Sequence, residues 1–87
     1  MTYTIRFLRS FNKDIRRIPS MMIERIKNSI ESLRTNPMPE GCKPIRGYEG
    51  HYRIRVGQYR IVYEIASTIR IITIVKVGHR KDVYRNL

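Results

Sequence analysis

Residues 52–65 carry the feature that most constrains the fold of this chain, an alternation of apolar and polar side chains around a single glycine that only Val62 breaks. Apolar residues occupy every second position over 52–56 and again over 59–65. A period of two is typical of β-strands, because successive side chains point to opposite faces of the sheet. The intervening Gly57-Gln58 pair fits a two-residue type II′ turn, which places glycine first. The pattern predicts a β-hairpin.

The short turn also predicts the register of this hairpin. Arg55 lies opposite Arg60, and Arg53 lies opposite Val62. One face is then apolar, while the other collects the three arginines with only Glu64 as a neighbouring acid. Directly opposed like charges are unfavourable by up to about 1 kcal/mol per pair. A solvated face with splayed guanidinium groups is one interpretation. A phosphate site is the other, because the planar guanidinium fork matches phosphate oxygens.

The remaining patterns predict an α+β domain of order β-α-α-β-β-β, with a small, mainly antiparallel sheet and a helical hairpin packed on one face. We expect a first strand over 3–7, an edge strand over 43–46 and a central strand over 69–77 that ends at Gly78. The two expected helices run from Phe11, capped by Ser10, and from Ser20, which is its own cap, to near Thr35. A short polar C-terminal tail or helix covers 79–87. We expect residues 1–87 to form a single domain.

Composition narrows the function classes. The 18 basic residues outnumber the 7 acidic ones, which gives a formal net charge of +11. Nucleic acid is therefore the first partner to consider, and an acidic protein the second. A single cysteine excludes a disulfide framework, and His51, His79 and Cys42 lack metal-ligand spacing. Because the apolar runs are short and interrupted by charge, we expect no signal peptide, no membrane contact and a cytoplasmic location.

A second basic cluster follows the predicted central strand. His79, Arg80, Lys81, Tyr84 and Arg85 stand within seven residues. These side chains could reach the rim of the arginine-bearing hairpin. The alternative is a solvated basic tail that Val83 and Tyr84 dock onto the sheet.

Four blocks, taken in order, resemble the RelE toxins of the RelE/ParE superfamily. They are Lys-Pro-Ile-Arg-Gly at 43–47, Tyr-Arg-Ile-Arg-Val at 52–56, Tyr-Arg-Ile-Val-Tyr-Glu-Ile at 59–65 and Val-Gly-His-Arg-Lys-Asp-Val-Tyr-Arg at 77–85. The strand and helical hairpin predicted ahead of them also match the family architecture.

This resemblance implies an mRNA interferase, the toxin of a type II toxin–antitoxin pair. Such toxins enter the ribosomal A site, beside 16S rRNA, and cut the mRNA by attack of a 2′-hydroxyl on the adjacent phosphate, without metal or other cofactor. A cognate antitoxin protein neutralises them. The alternative on the same fold is a ParE-like poison of DNA gyrase that performs no chemistry. A non-toxic RNA-binding domain is a third possibility, with no positive feature of its own.

The resemblance also assigns roles to residues. The implied catalytic set is Arg55, Arg60, Arg80, Tyr84 and His79, and the implied RNA- or phosphate-binding set is Lys43, Arg46, Arg53 and Lys81. The best-known RelE toxins carry lysines where this chain has Arg53 and Arg55. Because arginine stays protonated at neutral pH, neither can be the general base. Tyr84 is the first candidate for that role and His79 the second, ahead of Glu64 and His51.

Overall fold

The computed structural model describes residues 2–84, and within them the chain forms five strands and two helices. The elements are β1 (Thr4–Phe7), α1 (Phe11–Arg16), α2 (Ser20–Ser32), β2 (Lys43–Pro44), β3 (His51–Val56), β4 (Tyr59–Ala66) and β5 (Ile71–His79). The strands make one sheet in the order β1-β5-β4-β3-β2. β1 runs parallel to β5, and the other three pairings are antiparallel. The predicted α+β class is confirmed, with β2 as a short edge strand.

The predicted hairpin is confirmed in register. Arg55 pairs with Arg60, and Arg53 pairs with Val62. Gly57 has φ +61°, as the first position of a type II′ turn requires. A β-carbon at this position would lie 3.1 Å from the Met22 methyl carbon, so the end of that side chain would have to shift by a few tenths of an ångström.

The core lies between the helices and the apolar face of the sheet. Ile26, Ile30 and Leu33 from the helical region are buried against sheet residues such as Ile61 and Tyr63. The Tyr63 hydroxyl donates a hydrogen bond of 2.8 Å to the Pro37 carbonyl oxygen in the loop after α2. This bond links the connecting loop to the centre of the sheet.

Ser10 occupies the N-cap position of α1 as predicted but does not make the expected capping bond, and the predicted cap of α2 is wrong. Ser10 has helical dihedral angles and its side chain makes no capping bond, because an N-cap side chain reaches the first turn from an extended backbone. In α2 the cap position is Pro19, and Ser20 is already the first helical residue.

The last strand is displaced from its predicted range. It begins at Ile71 rather than Ile69, since Arg70 has φ +55° and interrupts the extended backbone. It continues past Gly78 to His79, which pairs with Tyr59. A register irregularity lies between Val62 and Tyr63: Val62 pairs with Lys76 and Tyr63 with Ile74, leaving Val75 as an extra residue on β5.

Over its described residues, the tail forms a hydrogen-bonded turn and not a helix. The amides of Asp82 and Val83 both donate to the His79 carbonyl oxygen, at 2.8 and 2.9 Å. Arg85, the last residue of the basic tail cluster, lies outside the described residues. Neither described helix is long and apolar enough to cross a membrane.

Candidate functional site

The solvent-side surface of β3 and β4 carries Arg53, Arg55 and Arg60, and we call it the arginine face. Strand alternation puts the three side chains on this side because their apolar neighbours point to the helices. Arg55 and Arg60 are direct partners across the hairpin. Two guanidinium groups in this position repel each other, so an anion between them would be stabilised.

Arg60 lies at the centre of this charge. Burial lowers its pKa, and the neighbouring charges of Arg55, Arg53 and Arg80 lower it further, whereas Tyr84 acts in the opposite sense. Its Nη1 atom donates to the carbonyl oxygens of Tyr59 at 3.1 Å and Gly57 at 3.3 Å. The guanidinium group remains charged, and these bonds hold it against the turn. Four arginines and one phenol therefore share a single electrostatic environment.

Arg53 differs from the other arginines of this face in the exposure of one guanidinium nitrogen. Its Nη1 atom is shielded from solvent, and no group in residues 2–84 accepts a hydrogen bond from it. An unpaired buried donor costs about 1–3 kcal/mol, and more when it is charged. A bound acceptor would remove that cost.

The tail brings Tyr84 to this surface. Val83 is fully buried and packs over Gly78, where a β-carbon would lie 3.7 Å from the Val83 Cα atom. Gly78 pairs with Arg60, so this contact is on the arginine face. Tyr84 follows directly, and its ring lines a cavity together with Arg53. The docking of Val83 was considered from sequence, but its complete burial was not expected.

Comparison with known proteins shows the family to which the chain belongs. A sequence profile described as the ParE toxin of the type II toxin–antitoxin system parDE matches residues 5–84. The chain is 38% identical over 82 residues to toxin RelE3 of Methanocaldococcus jannaschii, covering 90% of this chain and 91% of that protein. It is 31% identical over 86 residues to toxin RelG of Mycobacterium tuberculosis, covering 98% and 99% of the two chains. The chain is a RelE-type toxin of the RelE/ParE superfamily.

A solved structure supports the same assignment of this toxin. The RelE chain in the RelB–RelE antitoxin–toxin complex of Methanococcus jannaschii superposes with a TM-score of 0.76 at 34% identity. The match covers 94% of this chain and 98% of that one. The predicted resemblance to RelE toxins is thereby confirmed over nearly the whole chain.

His79 is a site residue that the toxin does not bring to its arginine face. Its ring packs edge-on against Tyr59, with 5.7 Å between ring centroids, on the side of the sheet that faces the helices. Its Nδ1 atom accepts a hydrogen bond of 3.2 Å from the Lys81 amide. A proton-transfer role together with Arg60 therefore requires a different position of this ring.

Two other candidate bases lie on the arginine side of the toxin. His51 and Glu64 are direct partners across β3 and β4, two pairs beyond Arg53 and Val62 and on the same side of the sheet. The His51 Nδ1 atom is 3.0 Å from the Glu49 carbonyl oxygen, and its ring lies edge-on to Tyr48 at 5.9 Å. The charges that act on the Arg60 guanidinium include Tyr84 but neither of these residues.

The remaining candidate residues lie around the rim. Lys43 is exposed and pairs with Arg53, Arg46 lines the same cavity as Tyr84, and Arg80 and Lys81 are exposed on the tail. Residues 2–84 hold no group of three His, Cys, Asp or Glu side chains arranged to bind a metal ion.

Sequence reasoning missed Tyr48 and Lys76. Tyr48 lines the cavity beside Arg46, and the available signal was its position between Gly47 and Gly50, both at positive φ. Lys76 joins the arginine side by pairing with Val62, which no pattern in the strand indicates.

Proposed function

We propose that this toxin is a metal-independent endoribonuclease that cuts mRNA in the ribosomal A site and so inhibits translation. The observation that carries the proposal is the clustering of Arg53, Arg55, Arg60 and Arg80 around one point together with Tyr84. Cleavage of RNA by its own 2′-hydroxyl passes through a phosphorane with additional negative charge, and preorganised cations stabilise such a state. Ribosome dependence follows the resemblance to RelE toxins.

In this reaction the 2′-oxygen forms a bond to phosphorus while the bond from phosphorus to the 5′-oxygen breaks. The products are a 2′,3′-cyclic phosphate and a 5′-hydroxyl. Arg60 and Arg55 bind the phosphate oxygens from opposite strands of the hairpin. Arg80 donates a hydrogen bond to the departing 5′-oxygen, which takes up a proton from water.

Tyr84 is the general base that removes the proton of the attacking 2′-hydroxyl. The electrostatic interaction of Tyr84 with Arg60 supports a position of the phenol near the phosphate-binding groups. In the phenolate form it accepts the proton as the 2′-oxygen attacks. Of the two bases favoured by the sequence, Tyr84 is the one supported by its electrostatic interaction with Arg60.

A cognate antitoxin is the expected protein partner. The related toxin of Methanococcus jannaschii was solved with an antitoxin. The formal net charge of +11 favours an acidic partner, and a protein that covers the arginine face would block RNA binding. Action on ribosomes would place the toxin in the cytoplasm.

The test is cleavage of mRNA in a translation extract, followed by mapping of new 5′ ends. Wild-type toxin should cut within ribosome-occupied codons and leave the same RNA intact without ribosomes. Arg60→Ala and Tyr84→Phe should each lower the cleavage rate by about 100-fold, the scale of losing one charge-stabilising group or one general base. Arg16→Ala removes one charge from an exposed position on α1 and is the matched control.

Equal cleavage by all three variants would refute the site assignment. Inhibition of gyrase supercoiling without any effect on translation would refute the nuclease and favour the ParE-like alternative. The names of the relatives do not favour that alternative.

A further inference from the structure

A cavity of about 430 Å³ opens beside the arginine face, between the β2–β3 loop and the tail. Its lining comes from two distant parts of the chain and consists of Pro44, Ile45, Arg46, Tyr48, Arg53 and Tyr84. The reaction steps above use Tyr84 from this set, and they leave Tyr48 without a role and Arg46 and Arg53 without a specified ligand atom. We call this cavity the loop pocket.

The loop that forms one wall of this pocket is braced by its own backbone. The Ile45 amide donates to the His51 carbonyl oxygen at 2.9 Å, and the His51 amide donates to the Tyr48 carbonyl oxygen at 3.1 Å. A third bond, of 3.2 Å, joins the Tyr48 amide to the Ile45 carbonyl oxygen. Gly47 and Gly50 provide the positive φ angles of +85° and +78° that this path needs. The position of Tyr48 is therefore built into the fold.

Two aromatic rings flank the pocket. Tyr48 is 41% exposed and Tyr84 is 43% exposed, and both line this open cavity. Half-exposed tyrosines beside a basic surface are suited to stack on unpaired bases, as in proteins that bind single-stranded RNA. Exposed side chains also rotate readily, so the rings can admit a planar group between them.

The polar chemistry of the pocket is selective. Its two charged residues, Arg46 and Arg53, donate hydrogen bonds and cannot accept them. Arg53 contributes the shielded Nη1 atom that has no acceptor within residues 2–84. A base that presents two adjacent acceptors satisfies an arginine fork, and guanine does so with its O6 and N7 atoms. Adenine and cytosine each present an amino group, which is a donor.

We propose that the loop pocket binds a guanine base of the RNA, stacked against Tyr48 and Tyr84 and read by Arg53. The inference rests on the proposed function in one respect, that the bound base belongs to an mRNA. It reassigns Arg53 from phosphate binding to base recognition, whereas Arg55 and Arg60 keep the phosphate. The toxin then selects where it cuts by a contact on its own surface.

Binding of free nucleotides tests the pocket without ribosomes or cleavage. The probes are the four 2′-deoxynucleoside 5′-monophosphates, which lack the attacking hydroxyl, titrated into the full chain and followed by NMR of tyrosine and arginine side chains. Wild-type toxin should bind the guanine nucleotide roughly tenfold more tightly than the adenine nucleotide, the size of one bidentate contact.

The decisive variant is Arg53→Lys, which keeps the charge and removes the planar fork. It should reduce the preference for guanine over adenine to below about twofold. Arg55→Lys, on the same strand and the same face, should weaken all four nucleotides alike and keep the preference. Tyr48→Ala should weaken all four by about fivefold or more through loss of stacking.

Equal binding of all four nucleotides by the wild type would overturn the proposal, as would a guanine preference that Arg53→Lys leaves intact. Thermal melts of each variant confirm that it is folded. Guanine-selective binding without mRNA cleavage would refute the nuclease and keep the pocket. Cleavage on ribosomes without guanine selectivity in the binding experiment would refute the pocket and keep the nuclease.

Discussion

The Tyr63 hydroxyl connects the centre of the sheet to the loop after α2, and its removal should change stability in opposite directions at neutral and alkaline pH. The ring is fully buried, and its oxygen donates to the Pro37 carbonyl oxygen at 2.8 Å. Tyr63→Phe deletes this bond with little change in shape. At neutral pH the variant should lose about 1 kcal/mol, the usual net value of one hydrogen bond. The melting temperature should fall by about 4–8 °C for a domain of this size.

The sign reverses at high pH. Burial raises the pKa of Tyr63 above its ordinary value of 10.0, with smaller contributions from Cys42 and Tyr52. Because the folded pKa is the higher one, the stabilisation is fully present below pH 10 and is lost as the pH rises towards the folded value. By pH 11 the wild type should lose about 1.4 kcal/mol at this residue. Phenylalanine cannot titrate, so the two free energies of unfolding should cross between about pH 10.5 and 11.

The assay is urea unfolding followed by far-UV circular dichroism from about pH 7 to 11, with wild type and variant fitted to a common slope. Tyr48→Phe, which deletes a phenol oxygen from a ring that is 41% exposed, is the matched control. A difference between wild type and Tyr63→Phe that stays constant across this range would refute the reasoning, because burial of a neutral phenol requires the difference to shrink.

Three further outcomes test other parts of the fold and site. Gly57→Ala should cost about 1–2 kcal/mol in thermal unfolding, because φ is +61° and the Met22 methyl lies in the way; an unchanged melting temperature would contradict the turn. Asp14→Ala should speed hydrogen exchange of the Val77 amide, which donates to the Asp14 carboxylate at 3.1 Å, while Asp14→Asn should keep it slow; equal rates in both variants would argue against this contact. Arg60→Ala should reduce the salt slope of binding to single-stranded RNA by about 0.7, measured by fluorescence anisotropy, and a slope equal to that of the wild type would remove Arg60 from the phosphate contacts.

Local patterns were sufficient for the hairpin and for the arginine face. A two-residue turn leaves one register, and a register decides which side chains share a face, so Arg53, Arg55 and Arg60 could be grouped from the sequence. The family resemblance then supplied Arg80 and Tyr84.

The contacts that complete the site are non-local and could not be read in this way. Asp14 accepts a hydrogen bond from the amide of Val77, which is 63 residues away, and Arg53 and Tyr84 line one cavity from distant parts of the chain. The side of the sheet that His79 occupies depends on the extra residue Val75 in β5, since uninterrupted alternation from Thr73 would put His79 on the arginine face. No residue type near Val75 signals such a bulge.

The bulge has a consequence for how toxins of this kind can diverge. Substitutions in β5 change the chemistry of a position, whereas a change of Val75 from bulged to paired exchanges the residues that the two sides of the sheet present beyond it. If Val75 were paired as an ordinary strand residue, His79 would lie on the arginine face and Lys76 would point towards the core, whereas deletion of Val75 would remove the bulge and leave both residues on their present sides. Whether a histidine shares the side of the sheet that carries Arg60 is then decided by the pairing of one residue in β5 and not by a series of substitutions.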